Sequence, residues 1–409
     1  MNNGKSLSTP LQRITVIDAL RGFSLLGVLL VHMQQRFSIR TGQREQLLPM
    51  LDDIVRQLIS NVFSGKFILI FGFLFGLSFF IQMDRAQKKG IEFHKRFLWR
   101  MAILFSLGIF GTLFYANDII TIYAVFGVVL LCIYRLKNWA LVTIICLLML
   151  GMPRFLILGY ESIVKTEQVE NVQPSSGRSS ENVRQSNQNN VEKPTFLSDA
   201  KIKLTRGMVT KLTREFGYSG RAYPTLALFI LGFLVGRFRF FEEVHFRKKR
   251  NLIIFAGCIV AVIVLKYIIG LFPAQSMFRR PSELTLSYFF LSPLNDIYRM
   301  VYAGALAMGF IIIYHTKIGG KCLDIMMPLG RTGLTNYMMQ SIIGCLIFSM
   351  WAFGSIFGTW GITETFALGL VIYTIQIIVS KYWLKYYLYG PFEWFWRSAT
   401  YFKWQPLRK

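Results

Sequence analysis

Acidic residues are scarce in this sequence. There are 21 Asp and Glu against 46 Lys and Arg in 409 residues, and the four charged types together make up 16%. A soluble globular chain carries about 25%. The shortfall falls in long uncharged runs, where lipid makes an isolated charge costly, so an ordinary soluble globule is excluded. Histidine numbers 4 and cysteine 5. Cys132, Cys146, Cys258 and Cys345 lie inside apolar runs and Cys322 just outside one, with neither a disulfide framework nor metal-ligand spacing, and no metal is expected. The first apolar run contains Asp18 and Arg21 and is followed by no small-residue cleavage site, so it should remain as a helix.

Apolar side chains are what the chain has in quantity: 53% hydrophobic residues, 37 of them Phe, and a mean hydropathy of +0.43. At about 20 residues per crossing, these runs make an all-α integral membrane protein with about ten transmembrane helices. The expected spans are Ile14–Met33, Phe67–Met83, Leu98–Ala116, Ile119–Tyr134, Trp139–Leu158, Tyr223–Phe240, Leu252–Phe272, Leu294–Tyr314, Met326–Trp351 and Ile362–Trp383. A shorter amphipathic segment, Leu48–Ile59, is expected to lie at the interface.

The net charge of +25 is concentrated in alternate loops. Arg85 to Arg100 separate spans two and three, Arg135 and Lys137 four and five, Arg237 to Arg250 six and seven, and Lys317 and Lys321 eight and nine. Such loops face the cytoplasm, which puts both termini there and gives the positive charge to anionic lipid headgroups rather than nucleic acid. The aromatic tail beyond Lys381 reads as an interfacial belt. The chain thus divides into a membrane half at 1–160, a polar outer loop at 161–221 and a second membrane half at 222–409. The loop's centre is too polar to bury a core and should be disordered, while Phe196–Arg214 reads as a surface helix. Small-residue pairs at Gly72/Gly76, Gly232/Gly236 and Gly354/Gly358 should let helices approach closely. No internal repeat supports an inverted-repeat transporter.

Ionisable groups inside apolar runs are functional candidates. In span one, Arg21 and His32 are eleven positions apart, within about 20° on the helix wheel and roughly 16 Å along the axis. Asp18, one turn before Arg21, is placed to pair with it. Gly333, Asn336 and Gln340 share a face of span nine, with Arg331 at its mouth; beside Arg21, Arg331 would make a phosphate-binding entrance. The amides could equally bond across helices. Asp118, in the short hairpin after span three, either orients the His32 imidazole or caps the next helix. Asp296 and Arg299 should pair at i, i+3. Lys66 is a further outer-side candidate, and Lys266 reads as snorkelling.

The runs Ile17-Asp-Ala-Leu-Arg-Gly-Phe-Ser-Leu-Leu-Gly-Val, Gly65-Lys-Phe…Leu74-Phe-Gly, Asp118-Ile-Ile…Tyr123-Ala, Gly330-Arg-Thr-Gly-Leu-Thr-Asn-Tyr…Gln340-Ser and Gly390-Pro-Phe-Glu-Trp-Phe-Trp-Arg occur in order along nearly the whole chain. In these the sequence resembles the YeiB-like family of bacterial membrane proteins, long catalogued by a domain of unknown function. That family is similar in turn to membrane acyltransferases, among them surface-glycan O-acetyltransferases and heparan-glucosaminide acetyltransferase. In the O-acetyltransferases an Arg is followed eleven positions later by a His, the spacing of Arg21 and His32. This chain departs from the YeiB-like pattern by carrying His32 where Asn is common, and Gly111 where a His is common.

The resemblance implies a multi-pass acyltransferase of the bacterial cytoplasmic membrane. Acetyl-CoA or another acyl-CoA would be the co-substrate, bound by Arg21, Arg331, Asn336 and Gln340. His32, oriented by Asp118, would be base or acyl carrier toward a glycan or lipid-linked acceptor outside. The alternative is a non-enzymatic transporter or a lipid- or small-molecule-binding membrane protein, and self-association is left open. The topology is testable first. A cysteine at Ser186 should react with an impermeant thiol reagent in intact cells, and one at Gly90 should not; the reverse pattern would invert the orientation.

Overall fold

The computed structural model describes residues 14–39, 48–90, 92–157, 159–160, 195–272 and 286–409. Among these the helices are joined by turns and loops, and the one β feature is an isolated bridge between Tyr387 and Arg408. The helices are α1 (Thr15–Gln34), α2 (Pro49–Leu58), α3 (Lys66–Lys88), α4 (His94–Thr112), α5 (Ile120–Ile133), α6 (Asn138–Met149), an irregular α7 (Phe196–Gly217), α8 (Ala222–Arg237), α9 (Lys248–Gly270), α10 (Leu286–Tyr314), α11 (Met327–Arg331), α12 (Gly333–Phe348), α13 (Ile362–Tyr386) and α14 (Pro391–Tyr401).

Among the described residues, each expected span falls mainly on helix. Five stretches are long and apolar enough to cross a membrane: α1, Pro49–Lys88, α9, Phe290–Tyr314 and α13. A sixth exists if α7 and α8, which meet at a bend of 70°, form one broken span. The helices α5, α6 and α12 are apolar but shorter. Span nine is broken at Thr332, between α11 and α12. The centre of the outer loop, residues 161–194, lies outside the described residues, and with it the disorder expected there.

The flank read as a surface helix differs from expectation. It forms α7, which packs inward and buries two lysines. Lys203 Nζ donates to the Phe114 carbonyl (3.0 Å) and pairs with Asp199 (2.8 Å), while Lys211 Nζ donates to Thr121 Oγ1 (2.6 Å). Two turns of α7 are π-helical, at Lys203–Gly207 and Thr213–Tyr218. The wider turns break the 3.6-residue period on which a surface-helix reading depends.

Glycine sets the helix contacts. A Cβ at Gly76 would lie 1.9 Å from the Phe229 carbonyl oxygen, and one at Gly232 would lie 2.0 Å from that of Phe73, so α3 and α8 meet backbone to backbone. Gly22 and Gly330 do the same for α1 and α11: their Cβ atoms would reach 2.3 Å from Met326 O and 1.8 Å from Asp18 O. Gly354 instead backs onto its own chain near Phe348 and Ser349, so the third glycine pair shapes a turn rather than a helix contact.

Loops expected on one side are joined at one end of the molecule. Arg239 bridges to Asp84 (3.1 Å), Arg237 donates to the Leu136 carbonyl (2.8 Å), and Tyr314 bonds Thr15 near the start of α1 (3.0 Å). The tail residue Leu388 lines the same cavity as Ile14.

A bulky side chain at Gly76 must push α3 from α8, so Gly76→Leu is expected to lower the melting temperature in detergent, at a cost of about 1–3 kcal/mol. Gly257→Ala, where a Cβ would meet nothing within 4 Å, should leave it unchanged.

Candidate functional site

Three cavities stand in series along α1. The mouth, about 430 Å³, lies at the basic end and is lined by Asp18, Arg21, Arg85, Arg331 and Arg397 among others. A deeper cavity of about 280 Å³ shares Arg21, Ser78, Gln82 and Arg331 with it, and adds Arg100, Tyr337 and Glu393. An outer cavity of about 380 Å³ holds His32, Tyr115, Asn117, Arg214, Arg221 and Arg299. Ile119 lines both the inner and the outer cavity and stands between them.

Arg21 and Arg331 come together because α1 crosses the α11 turn at Gly22 and Gly330, with no Cβ between the backbones. Arg21 pairs with Asp18 at 2.8 Å, as the spacing required, and also donates to Ser78 Oγ. Its side chain keeps 26% exposure against 4% for Asp18, so Asp18 is the buried anchor and Arg21 faces the cavity. Arg100, which the sequence placed in a basic loop, instead lies over the Trp396 ring at 3.9 Å within the inner cavity.

Glu393 carries no role in the sequence reading beyond its place in a motif. Its Oε1 accepts from the backbone N–H groups of Leu334 (2.6 Å) and Thr335 (3.0 Å), and its Oε2 accepts from Thr335 Oγ1. It thereby satisfies the first turn of α12, whose own N-cap makes no side-chain bond. The runs beginning at Gly330 and Gly390 are thus two halves of one joint.

Asn336 and Gln340 do not line the cavities. Asn336 Nδ2 donates to Thr332 Oγ1 (2.8 Å) and Ser380 Oγ (2.9 Å); Gln340 Nε2 donates to Gln376 Oε1 (2.9 Å). They fasten α12 to α13, the cross-helix bonding that the shared face also allowed. A shared helix face shows that two side chains point alike, but not toward what.

His32, 8% exposed, packs against Tyr115 (ring centroids 4.7 Å) and Phe37 (5.4 Å) at the outer cavity. Asp118 is fully buried, and its Oδ2 accepts from the N–H groups of Ile120 (3.0 Å) and Thr121 (3.4 Å). It caps α5, the second of the two expected roles, and among the described residues no bond joins it to His32. Burial pushes its carboxyl up to about 6, against the pull of the neighbouring Lys211. Gly111 backs onto it, 3.3 Å from Cβ to Oδ1.

What flanks His32 instead is a hydrogen-bonded chain invisible to sequence reasoning. Asn117 Nδ2 donates to Ser38 Oγ (2.7 Å), Arg214 donates to Asn117 Oδ1 (2.6 Å), and Glu215 takes Arg214 at 3.3 Å and Arg221 at 3.6 Å. Ser38 is held by an unusual turn: Arg36, Phe37 and Ser38 have φ of 48°, 50° and 61° with no glycine among them. Such backbone costs on the order of 1–3 kcal/mol per residue and persists only where its surroundings over-determine it. Arg36 donates to the Trp360 carbonyl (2.8 Å), and Phe37 fills the notch left by Gly344. Asp296 and Arg299 approach at 3.8 Å as the spacing suggests, but the tighter partner is Arg154, 2.6 Å from Asp296 and 142 residues away in sequence. Lys66 is buried with its Nζ on the Ser60 carbonyl (3.0 Å).

Comparison with known proteins agrees with the extent of the chain. A family described as "Protein of unknown function (DUF418)" matches residues 235–403. The chain is 26% identical to the uncharacterized protein YxaH of Bacillus subtilis, over 97% of this chain and 96% of that one. It is 24% identical to an uncharacterized 39.9 kDa protein of Bacillus acidopullulyticus, over 95% and 94%. It is 22% identical to the uncharacterized protein YeiB of Escherichia coli, over 95% and 97%. These similarities support the resemblance to the YeiB-like family.

The joint between the two motifs is testable. Glu393→Ala strands two part-buried N–H donors and a hydroxyl, and is expected to cost about 1–3 kcal/mol in a detergent melt. Glu393→Gln keeps an acceptor oxygen and should lose clearly less.

Proposed function

We propose that this protein is a membrane acyltransferase that carries an acyl group from a cytoplasmic thioester to an acceptor outside. The observation that supports the reading is the series of cavities along α1, with Arg21 and Arg331 at one end and His32 at the other. In this reading about ten helices cross the bacterial cytoplasmic membrane, with the basic end and both termini inside.

An acyl-CoA would supply the acyl group as a thioester. Arg21 and Arg331 face the mouth with planar guanidinium forks suited to phosphate oxygens, and Arg85 and Arg397 add positive charge around them. The levels of Arg21 and His32 are roughly 16 Å apart along α1, so the donor has to extend through the inner cavity toward Ile119. His32 takes the proton of the acceptor hydroxyl or amine as its heteroatom bonds the acyl carbon. The carbon–sulfur bond breaks and the proton is returned to the leaving thiolate. Tyr115 and Phe37 hold the imidazole plane, a positioning role in place of the carboxylate that Asp118 does not provide. The same series of cavities also favours a second reading, passage of a solute, which substrate flux in liposomes without any acyl donor would establish.

Arg21→Lys keeps the charge and loses the fork, so KM for the donor should rise about tenfold with kcat largely kept. His32→Asn should retain donor binding and lose about 10²–10⁴ in kcat. Equal transfer rates in the His32→Asn and parent proteins would make the imidazole structural and end the catalytic reading.

A further inference from the structure

We infer that the outer cavity is an anion site, built to receive a phosphate group on the molecule that is acylated there. The identification of that molecule as acceptor rests on the proposed function; the anion site itself rests on charge and geometry.

Four guanidiniums gather around this cavity from four separate stretches of chain: Arg154 from the helical segment 152–157, Arg214 from α7, Arg221 from the start of α8 and Arg299 from α10. Two carboxylates oppose them. Asp296 is committed to Arg154 at 2.6 Å, with Arg299 at 3.8 Å, and Glu215 is shared between Arg214 at 3.3 Å and Arg221 at 3.6 Å. Among the described residues the guanidiniums at this cavity outnumber the carboxylates. Hydrogen bonds to neutral groups, such as Arg214 to Asn117 and Arg154 to the Gly220 carbonyl, orient guanidiniums without neutralising them.

The excess is turned toward the cavity. Arg154 is 2% exposed and lies behind the wall, whereas the Arg214, Arg221 and Arg299 side chains retain 25%, 32% and 21% exposure and line the space. Arg221 lines the cavity together with His32, Tyr115 and Arg299. The backbone makes room for this gathering. Gly220, at φ 54°, would place a Cβ 2.1 Å from Arg154 Nε, and Gly65, at φ 77°, lies beside Arg299. Like charges held together in a partly enclosed space repel strongly, and a bound anion relieves that repulsion. Guanidiniums arriving from three directions suit a tetrahedral oxyanion better than a planar carboxylate, which a single fork would hold. The phosphate can be a lipid headgroup or belong to a free phosphorylated molecule.

The test uses the purified full chain in nanodiscs. Inorganic phosphate is titrated against chloride at constant ionic strength, and retention of phosphatidylglycerol over phosphatidylcholine is read by native mass spectrometry. The parent should be stabilised by phosphate or retain the anionic lipid. Either effect should weaken about tenfold in Arg221→Gln and in Arg299→Gln and persist in Arg239→Gln, at the opposite end. Lipid retention without a phosphate effect identifies a headgroup; a phosphate effect alone identifies a soluble phosphorylated molecule. Should Arg299→Gln fail to fold, Arg221→Gln carries the test, because Glu215 keeps Arg214. Binding of neither probe, or binding unchanged in the folded variants, overturns the inference. Phosphate binding without acyl transfer would leave the anion site standing and remove the acyltransferase reading. Transfer without binding of either probe would do the opposite.

Discussion

The close crossing of α1 and α11 is the contact on which the arrangement of the candidate site depends. Gly22 and Gly330 bring two backbones to a separation at which a single methyl group would collide with a carbonyl oxygen. Helices in lipid gain little from hiding apolar surface from one another, so packing this tight is where they find their attraction. The contact also fixes chemistry. Arg21 and Arg331 are each adjacent in sequence to one of the two glycines, and the crossing places both guanidiniums at the wall of the same cavity. Asp18, one turn before Arg21 and nearly inaccessible, holds that wall from behind. Glu393 then secures the start of α12 just beyond the crossing, so α1, α11, α12 and α14 meet at one joint.

The two ends of the cavity series are built on different physics. At the basic end, Arg21, Arg85, Arg331 and Arg397 share the wall of an open mouth with three carboxylates, Asp18, Asp84 and Glu242, and keep it positive. At the outer end, among the described residues, guanidiniums outnumber carboxylates, and the backbone makes room for them with glycine turns at Gly65 and Gly220 beside the left-handed run Arg36–Ser38. Strain of that kind needs compensation from its surroundings. Here it comes from Phe37 filling the Gly344 notch and from Arg36 reaching the Trp360 carbonyl. His32 sits one turn before this run, with its ring fixed by aromatic neighbours rather than by a carboxylate.

Helix α7 changes what the long polar segment means. Its sequence alternates basic and apolar residues in a way that suits a solvated surface, yet Lys203 and Lys211 are buried with their ammonium groups on Phe114, Asp199 and Thr121. Buried lysines are tolerated where partners satisfy their donors, and the π-helical turns shift the side chains into register with those partners. The helix thereby covers the α4–α5 hairpin and delivers Arg214 and Glu215 to the outer cavity.

Local chemistry by itself determined the helices, the loops that carry positive charge, the Asp18–Arg21 pair and the small-residue spacings in α3 and α8, because each depends on hydropathy or on spacing within a few turns. Facing was different. A helix apolar on all sides has no stripe to say which side meets a neighbour. Hence Asn336 and Gln340 shared a face in the sequence, and the packing alone turned that face to Ser380 and Gln376 instead of the cavity. Asp118 stood equally well as an orienting group or as a cap, and the tight hairpin directed its carboxylate into the first turn of α5. The Arg154–Asp296 bridge and the Glu393 joint link residues 142 and about 60 positions apart, beyond any periodicity, because ion pairs at that range are selected by where the chain returns.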